Sequence, residues 1–529
     1  MITFGRKLPI GIQTFEKIRY GGYLYVDKTE LVWQLASSSV PNFLSRPRRF
    51  GKSLLLSTFE AYFEGKKELF EGLAIEKLEE KWEKYPVLHL DLNAEKYDTP
   101  ESLNAILSYQ LTQWEAIYGK GEDETTLSNR FKGVIQRAYE RTGKGVVVLV
   151  DEYDKPLLQA IHNEELLESY RVMLKAFYGV LKSNDRYLRF VFLTGVTKFS
   201  QVSVFSDLNQ LNDISMAKAY ATICGLTKQE LQDNFAPELE ALAEENDQTF
   251  DEVMETMTQQ YDGYHFHQKG EGMYNPFSVL NAFDKLEFGS YWFQTGTPTF
   301  LVKSLQKADY DLRTLMDGVE ASASTFTEYR AEENNPIPLI YQSGYLTIKK
   351  VVWTDSPNGR YVSRLVLGVP NFEVRENLKS NFWRTIMHMD ETCFTALVDV
   401  AKRQIADGNV DALTNETLFS LYAALPATWR VKDEAEAKRY FLMFMKLLDA
   451  TVHVEQTSAR GYADAIVETK KGVYVFEFKF NRSAKAAIRQ IREKGYADAY
   501  KADKRPVTLI GINFSAKKRN IDEPLIEAL

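Results

Sequence analysis

The 529-residue chain has few cysteines and no long apolar run. Its 2 cysteines, Cys224 and Cys393, are far apart in the sequence, which excludes a disulfide framework and gives no zinc-ligand pattern. The longest apolar runs, such as 146–150, are far too short to cross a bilayer, and the first residues lack the apolar core of a secretory signal. We therefore expect a cytoplasmic protein in a reducing compartment, without a membrane partner.

Histidine is also scarce, and neither sign of charge dominates. Among the 6 histidines, His162, His265 and His267 lack a third partner at metal-ligand spacing, so surface or structural roles are favoured. The formal net charge of −8 excludes a protein whose whole surface is basic, although a local basic groove for nucleic acid stays compatible with it.

The composition is that of an ordinary globular protein. Hydrophobic residues make up 44% of the chain, charged residues 26% and aromatic residues 13%. The length exceeds what one hydrophobic core usually supports, so we expect about two to four domains.

The first candidate site is the run Arg46-Pro-Arg-Arg-Phe-Gly-Lys-Ser53, which lies between a predicted strand at 41–45 and a predicted helix at 53–63. Strand, loop and helix in this order form a phosphate-binding loop, in which the backbone near Gly51 would hold phosphates. Lys52 would reach the β and γ oxygens, and Ser53 would ligate Mg²⁺. Because Arg46 stands where the usual pattern has its first glycine, a basic turn that caps a helix is the alternative.

Two further apolar runs end in polar residues. The run 145–150 ends in Asp151 and Glu152, at the strand end where open α/β sheets place their chemistry. Asp151 would hold Mg²⁺ through water, and Glu152 would orient or deprotonate the attacking water; a helix cap is the alternative for such an Asp. The run 188–193 ends in Thr194, a candidate γ-phosphate sensor, for which a plain strand-to-turn exit is the alternative.

Several runs of this sequence resemble the bacterial AAA-ATPase-like family. They are Arg46-Pro-Arg-Arg-Phe-Gly-Lys-Ser53, Asp151-Glu-Tyr-Asp-Lys-Pro156, Thr194-Gly-Val-Thr-Lys-Phe199, Tyr261-Asp-Gly-Tyr264, Asn275-Pro-Phe277 and Tyr291-Trp-Phe-Gln-Thr-Gly-Thr-Pro298. The resemblance covers essentially the whole chain and implies an ATP site followed by a C-terminal PD-(D/E)xK nuclease-superfamily domain. An arginine-containing loop is usual in that family, so the resemblance implies that Arg48 and Arg49 supply charge to the phosphates.

The middle of the chain reads as a connector. Helical patterning at 228–234 and 249–260 is followed by a short helix at 337–344 and strand-like runs at 345–352 and 361–369, around a turn at 355–359. Helix followed by hairpin is the outline of a winged helix. The short helix presents no cluster of Lys and Arg, so packing is favoured over DNA binding.

A second candidate site lies near the C-terminus, where a predicted hairpin precedes a helix at 483–500. Asp464 is on the first strand, and alternation places Glu477 and Lys479 on one face of the second. Two such carboxylates can bind one or two Mg²⁺ ions, while a lysine positions water and offsets charge on the scissile phosphate. The alternative is an exposed Glu and Lys that alternate with core residues.

The order of these residues matches the pattern of the nuclease superfamily, Asp, Glu-x-Lys and a downstream Gln. The resemblance implies that Gln490 orients water, metal or substrate. Candidates for a further acid are Glu434, Glu436 and Glu455, among which the sequence does not choose. A local excess of Lys and Arg over 482–505 suits a phosphate backbone, with a solvated helix face as the alternative.

We predict an α/β chain with three parts. They are a P-loop NTPase parallel sheet with helices at 1–225, a helical lid and winged-helix-like connector at 226–380, and a restriction-endonuclease-like α/β domain at 381–529. ATP binding and hydrolysis would be coupled to Mg²⁺-dependent cleavage of nucleic acid, with DNA favoured over RNA and Mn²⁺ as a substitute at the nuclease site; a homo-oligomer is compatible with this.

Two alternatives keep the same fold. One is a nucleotide-dependent switch or defence regulator whose C-terminal domain binds nucleic acid or protein without cutting. The other is an ATP-independent nuclease whose N-terminal domain only senses nucleotide.

Overall fold

The structure, a computed structural model, describes ten stretches of the chain. They are residues 6–38, 40–198, 211–292, 318–322, 335–355, 361–378, 390–425, 431–448, 450–458 and 461–529. The chain divides into two compact units, Met1–Glu376 and Asn377–Leu529. No helix in these stretches combines the length and the apolarity needed to cross a membrane. The three-part division at 225 and 380 stays a prediction.

Helices and strands alternate in the N-terminal part of the first unit. In chain order they are α1 (Phe15–Gly21), α2 (Thr29–Ala36), β1 (Asn42–Ser45), α3 (Lys52–Phe63), β2 (Val87–Asp91), α4 (Pro100–Tyr118), α5 (Leu127–Thr142), β3 (Val146–Asp151), α6 (Lys155–Ala160), α7 (Glu164–Ser183), β4 (Leu188–Gly195) and β5 (Asn212–Asp213). Short 3₁₀ turns lie at Lys67–Phe70, Ala74–Lys77, Leu92–Ala94, Asp185–Tyr187 and Lys218–Tyr220.

The five strands form one parallel sheet in the order β2-β3-β4-β1-β5. Every residue of β1 and β3 is buried, as expected of aliphatic strands covered on both faces. Helix α3 packs on the sheet through Phe59, whose ring lies 5.0 Å from those of Phe190 and Phe192. Because the strands are parallel, the carboxyl ends of β1, β3 and β4 meet at one edge, which confirms the predicted P-loop type of sheet.

A helical region follows, made of α8 (Lys228–Glu245), α9 (Phe250–Tyr261) and α10 (Pro276–Lys285). Capping boxes begin α8 at Thr227 and α9 at Thr249, which satisfies amides that a helix start leaves open. Tyr261, Tyr264, Tyr291 and Trp292 are buried, as predicted for core aromatics.

The last part of the first unit contains β6 (Val319–Ser322), α11 (Ile337–Gln342), β7 (Thr347–Asp355) and β8 (Tyr361–Gly368). The strands form an antiparallel sheet in the order β6-β8-β7. The predicted helix and hairpin are therefore present, while the turn between the strands falls at 356–360, outside the described residues.

The second unit begins with helices and continues as a mixed sheet. In chain order its elements are α12 (Glu391–Asp407), α13 (Val410–Ala412), a π-helical turn (Leu413–Leu418), α14 (Phe419–Ala423), α15 (Glu434–Leu447), β9 (Thr451–Ser458), β10 (Gly461–Glu468), β11 (Val473–Phe480), α16 (Ala484–Lys494), a 3₁₀ turn (Asp498–Tyr500), β12 (Val507–Ser515), β13 (Asn520–Ile521) and β14 (Leu525–Ala528).

The sheet of the second unit has the order β13-β12-β11-β10-β9, with β14 paired to β12. Strands β9, β10 and β11 are antiparallel neighbours, and β11 pairs with β12 in parallel. Phe441 of α15 packs on Phe476 and Phe478 of β11, whereas Ile488 and Ile491 of α16 belong to a cluster with the alternate residues of that strand. The two helices therefore cover opposite faces of β11.

The helix predicted at 483–500 is shorter than expected. Helix α16 ends at Lys494 because Gly495 takes a left-handed backbone, φ 65°, and its amide bonds back to carbonyls of the last turn. The remaining predicted stretch forms only the short turn Asp498–Tyr500.

Candidate functional site

The predicted phosphate loop connects the buried strand β1 to α3. Arg49 and Gly51 have left-handed backbones, with φ of 69° and 95°, and α3 begins directly afterwards at Lys52. A left-handed turn before a helix start directs successive amides to one side, which is the arrangement that binds anions. The loop thus has the local geometry of a phosphate cradle.

A cavity of about 590 Å³ opens at this loop. Its polar lining includes Arg48, Arg49, Gly51, Lys52, Ser53 and Glu152, and its apolar lining includes Ile12, Val26, Leu226, Phe235 and Leu280. A pocket that combines apolar and cationic side chains fits a nucleotide, whose base is flat and poorly charged and whose phosphates are anionic.

Lys52 is nearly fully buried and points back into the loop. Its Nζ lies 3.1 Å from the carbonyl oxygen of Arg46 and 3.3 Å from Oε1 of Glu152. Glu152 has an unusual left-handed backbone, φ 51°, immediately after β3. The ammonium and the carboxylate thereby face each other in the lining of the cavity.

Asp151 is held by groups on two neighbouring strand ends. Thr194 Oγ1 donates to Asp151 Oδ1 at 2.6 Å, and the Glu152 amide donates to the same oxygen at 3.0 Å. Both Asp151 and Thr194 are buried. The Thr194 hydroxyl is therefore engaged with the acid, which points to a role in fixing Asp151.

Asp154 was not singled out by the sequence reasoning, although it belongs to the same acidic run. Its carboxylate is fully buried and accepts the Thr197 amide and hydroxyl, both at 2.6 Å, and the Val196 amide. Burial, and then the charge of Glu152, raise the pKa of Asp154 to about 6. This residue ties the exit of β3 to the exit of β4, and its position three residues after Asp151 was the available signal.

Arg46 does not face the cavity despite its place in the loop. Its guanidinium is buried and donates to the carbonyls of Ser45, Ser215 and Tyr220 at 2.8–3.0 Å, while lying 4.0 Å above the ring of Phe266. Burial lowers the pKa of Arg46 to about 10. The arginine in the glycine position thus stabilises the loop through hydrogen bonds to main-chain carbonyls and does not line the cavity.

Arg48 and Arg49 are the arginines that reach the cavity. Both are exposed and line it, and the guanidinium of Arg49 lies 4.6 Å above the ring of Phe277. The carbonyl of Arg48 accepts the indole N–H of Trp292 at 3.1 Å. Both arginines line the same cavity as Lys52, and their supply of positive charge to phosphates stays a prediction.

In the second unit, β10 and β11 separate where the predicted catalytic residues stand. Pairing between the two strands runs from Glu468 opposite Val473 to Ala465 opposite Phe476 and then stops. The amide of Phe478, two residues beyond the last paired residue, donates to Asp464 Oδ2 at 2.9 Å. A side-chain carboxylate thus replaces the lost backbone partner, which fixes its orientation.

Three carboxylates converge at this separation. Glu434, Asp464 and Glu477 each offer an oxygen, and these oxygens lie within 4.8 Å of one another. Glu477 is 1% exposed, and its Oε2 is buried without a hydrogen-bond partner. Burial, and then the charge of Asp464, raise the pKa of Glu477 to about 7. An orphaned buried oxygen among hard anionic ligands fits Mg²⁺ or Mn²⁺.

The structure selects Glu434 from the candidate further acids. This residue begins α15, and its carboxylate reaches Lys479 Nζ at 3.0 Å. Glu436 instead accepts the Lys432 amide, while the side chain of Glu455 lies outside the described residues.

Lys479 sits among these acids. Its Nζ lies 3.0 Å from Glu477 Oε1 and, as noted, from Glu434. Although burial opposes its charge, the two carboxylates together raise the pKa of Lys479. A second lysine, Lys438, places its Nζ 3.3 Å from Asp464 Oδ1. Sequence reasoning missed Lys438, whose only signal was its position one helical turn after Glu434.

Gln490 is hydrogen-bonded to another side chain of the second unit. Its Nε2 donates to the hydroxyl of Tyr496 at 3.2 Å. Burial raises the pKa of Tyr496. The negative charges of Glu477 and Asp464 add to the rise, while the hydrogen bond from Gln490 and the charge of Lys479 oppose it. Tyr496 is thus a polar residue near the acid cluster that the sequence reasoning did not assign.

The cations after Lys479 are partly neutralised. Ion pairs join Arg492 to Glu527, Lys501 to Asp498, and Arg505 to Glu468 and Asp503. Arg482 and Lys485 are exposed at the start of α16. The basic surface is therefore smaller than the count of residues indicates.

Comparison with known proteins identifies the family of the chain. Residues 9–205 match the predicted AAA-ATPase family, and residues 432–524 match the PD-(D/E)XK nuclease superfamily. A protein of Azotobacter chroococcum mcd 1, described as an uncharacterized protein in the vnfD 5′ region, is 35% identical over 536 residues, covering 99% of each chain. The chain belongs to the AAA-ATPase-like family and carries a C-terminal PD-(D/E)xK nuclease-superfamily domain.

Proposed function

We propose that this protein binds and hydrolyses ATP in its first unit and, under the control of that nucleotide, cleaves phosphodiester bonds of nucleic acid in its second unit, with DNA as the favoured substrate. The observation that carries the proposal is the convergence of Glu434, Asp464 and Glu477 around Lys479. The cavity at the phosphate loop supports the part of the proposal that concerns ATP binding.

At the nucleotide site, each residue has a distinct task. Lys52 and the exposed arginines would neutralise phosphate charge, and the backbone amides after Gly51 would donate hydrogen bonds to phosphate oxygens. Ser53 and Asp151 would hold Mg²⁺, with Thr194 keeping the Asp151 carboxylate in place. Glu152 would orient or deprotonate the attacking water, since its carboxylate already faces Lys52 in the cavity.

At the nuclease site, Glu434, Asp464 and Glu477 would hold the divalent cation. Magnesium bound there supplies Lewis-acid polarisation of the scissile phosphate and activation of water. Lys479, whose ammonium lies beside Glu434 and Glu477, would offer its charge to the scissile phosphate. Gln490 and Tyr496 form a polar pair that can orient water or substrate.

The nuclease proposal is tested with labelled single- and double-stranded DNA and RNA, in Mg²⁺ or Mn²⁺, with and without ATP. Glu477→Gln keeps the size of the side chain and removes its charge, so we expect it to abolish cleavage. Glu436→Gln on the same helix as Glu434 is the matched control and should cut like the wild type. Absence of cleavage of every substrate by a folded wild-type chain would favour the alternative of a switch that does not cut.

The nucleotide proposal is tested separately by ATP binding and phosphate release. Lys52→Ala should lose binding, whereas Glu152→Gln should keep binding and lose turnover, because only the first contacts phosphate in the ground state. Unchanged cutting by Lys52→Ala in the presence of ATP would support the alternative of an ATP-independent nuclease.

A further inference from the structure

A second lysine lies inside the proposed nuclease site. Lys438 and Glu434 are separated by one turn of α15, so both side chains leave the same face of the helix. The Lys438 side chain is 19% exposed, and its Nζ is 3.3 Å from Asp464 Oδ1. This contact is independent of Lys479, which binds the other two carboxylates.

The two oxygens of Asp464 have different partners. Oδ2 accepts the Phe478 amide at 2.9 Å, which leaves Oδ1 as the oxygen with no backbone bond among those described. Oδ1 is the oxygen that Lys438 contacts. A cation that used Asp464 as a ligand would therefore compete with the Lys438 ammonium for the same oxygen.

The formal charges of the cluster indicate which ligand a displaced lysine would bind. Three carboxylates and two ammonium groups leave one formal negative charge when all are ionised. A divalent cation turns this into one formal positive charge, which matches the single negative charge of a phosphodiester. Both lysines are needed for that match, because loss of either returns the loaded site to neutrality.

We propose that Lys438 is a substrate-binding residue with two successive partners. In the metal-free protein it holds Asp464 Oδ1; after a divalent cation takes that oxygen, the Lys438 ammonium contacts a non-bridging oxygen of the nucleic-acid phosphodiester. The inference rests on the proposed nuclease function and adds to it a residue outside the sequence motif. It also requires that Lys438 oppose metal binding while favouring substrate binding.

The test measures these two opposite effects in the full-length chain. Mn²⁺ is titrated calorimetrically into metal-free wild type, Lys438→Met and Lys432→Met; then the KM and kcat for labelled DNA are measured in Mn²⁺. We expect Lys438→Met to bind Mn²⁺ more tightly by several-fold, and to raise KM by about tenfold or more, the scale of a charge-assisted hydrogen bond. Lys438→Arg should restore a KM near that of the wild type.

Lys432→Met is the matched control because it removes one positive charge near the start of the same helix. Its side chain is 72% exposed and pairs only distantly with Glu436, at 3.9 Å, away from Asp464. It should change neither constant. Thermal unfolding of each variant reports whether the fold is kept.

The outcomes separate this inference from the proposed function. Equal weakening of metal and substrate binding by Lys438→Met would mean that the lysine only supports the fold, and the inference would be overturned. Constants within twofold of those of Lys432→Met would overturn it as well. If the wild type cuts no nucleic acid, the proposed function fails, and an unchanged Mn²⁺ affinity in Lys438→Met then overturns the displacement too.

Discussion

Arg46 is a buried cation whose acceptors are main-chain carbonyls. A guanidinium can serve three acceptors in different directions from one plane, which a lysine ammonium on a flexible stem does poorly. The carbonyls belong to β1 and to the segment after β5, so the side chain fastens the root of the phosphate loop. This role explains how an arginine can replace a glycine without contacting the nucleotide.

Arg46→Lys should destabilise the first unit by about 2–4 kcal/mol, because a buried charge would lose part of its hydrogen bonding. Thermal or urea unfolding measures the change. Arg49→Lys, on the exposed side of the same loop, should stay within about 0.5 kcal/mol of the wild type. Equal stability of Arg46→Lys and the wild type would contradict the claim that the Arg46 hydrogen bonds stabilise the first unit.

Glu373 is a buried acid in the first unit. Its carboxylate accepts hydrogen bonds from the amides of Tyr291 and Trp292 and from the Ser278 hydroxyl. It is fully buried, and burial raises the pKa of Glu373 from 4.5 to about 7, even though the backbone bonds oppose the shift. Between these values the folded chain keeps a proton that the unfolded chain has lost. Stability therefore falls as pH rises from about 4.5 to 7.

Glu373→Gln keeps an acceptor for the two amides and removes the titration. Relative to wild type, we expect this variant to gain stability between pH 5 and 7.5, by up to about 3 kcal/mol. Unfolding midpoints across that range measure the difference. If the unfolding midpoints of the two proteins changed with pH in the same way, the pH dependence of stability would not come from Glu373.

At this scale the sequence identifies residues whose role follows from their neighbours in the chain. Asp464, Glu477 and Lys479 were placed correctly on a hairpin because strand alternation decides their faces. Glu434 stayed one of three candidates, since its selection depends on how α15 crosses the sheet. The direction of Arg46, which turns away from the cavity, likewise depends on tertiary contacts with Ser215 and Phe266.

The element that follows α11 touches the phosphate loop directly. Gly344 has φ 88°, and a Cβ built on it would lie 2.7 Å from Cβ of Pro47 and 3.2 Å from the Trp292 ring. The indole N–H of Trp292 bonds the Arg48 carbonyl, and Gln342 accepts the Lys198 amide at 2.9 Å. Trp292, Gln342 and Gly344 thus link α11 and its surroundings to the phosphate loop and to the exit of β4, within the first unit.

Gly344→Ala should weaken ATP binding on the order of tenfold, because the added methyl group displaces the loop backbone at Pro47. Gly143→Ala is the matched control: its φ is 64°, but a Cβ there meets nothing within 4 Å. Both variants share the cost of a left-handed alanine, so only the steric contact differs. Titration with ATP should show weaker binding by Gly344→Ala than by Gly143→Ala. Equal ATP affinities would contradict the claim that packing at Gly344 supports the phosphate loop.

Elements were predictable where the pattern was strong. The aliphatic run of β3 and the alternating run of β11 each form the expected strand. The helix predicted to reach residue 500 ends before Gly495, where a left-handed glycine outweighs the helix-compatible residues that follow. Packing of the connector on the loop had no signal in the sequence, because it depends on contacts between distant residues.

At the scale of the whole molecule, the two proposed activities lie in different compact units. The phosphate loop with its cavity belongs to the first unit, and the carboxylate cluster belongs to the second. The proposed residues of each site lie within one unit, so each site can be altered by substitutions in that unit alone. Coupling between them is then a property of the intact chain that single-site variants can expose.

The most direct measurement is the rate of DNA cleavage as ATP is varied, for the wild type, Lys52→Ala and Glu477→Gln, in the same metal buffer. The account predicts that ATP changes the wild-type rate, that Lys52→Ala cuts at a rate independent of ATP, and that Glu477→Gln does not cut while still hydrolysing ATP. Cleavage that persists in Glu477→Gln, or a wild-type rate that does not respond to ATP, would contradict it.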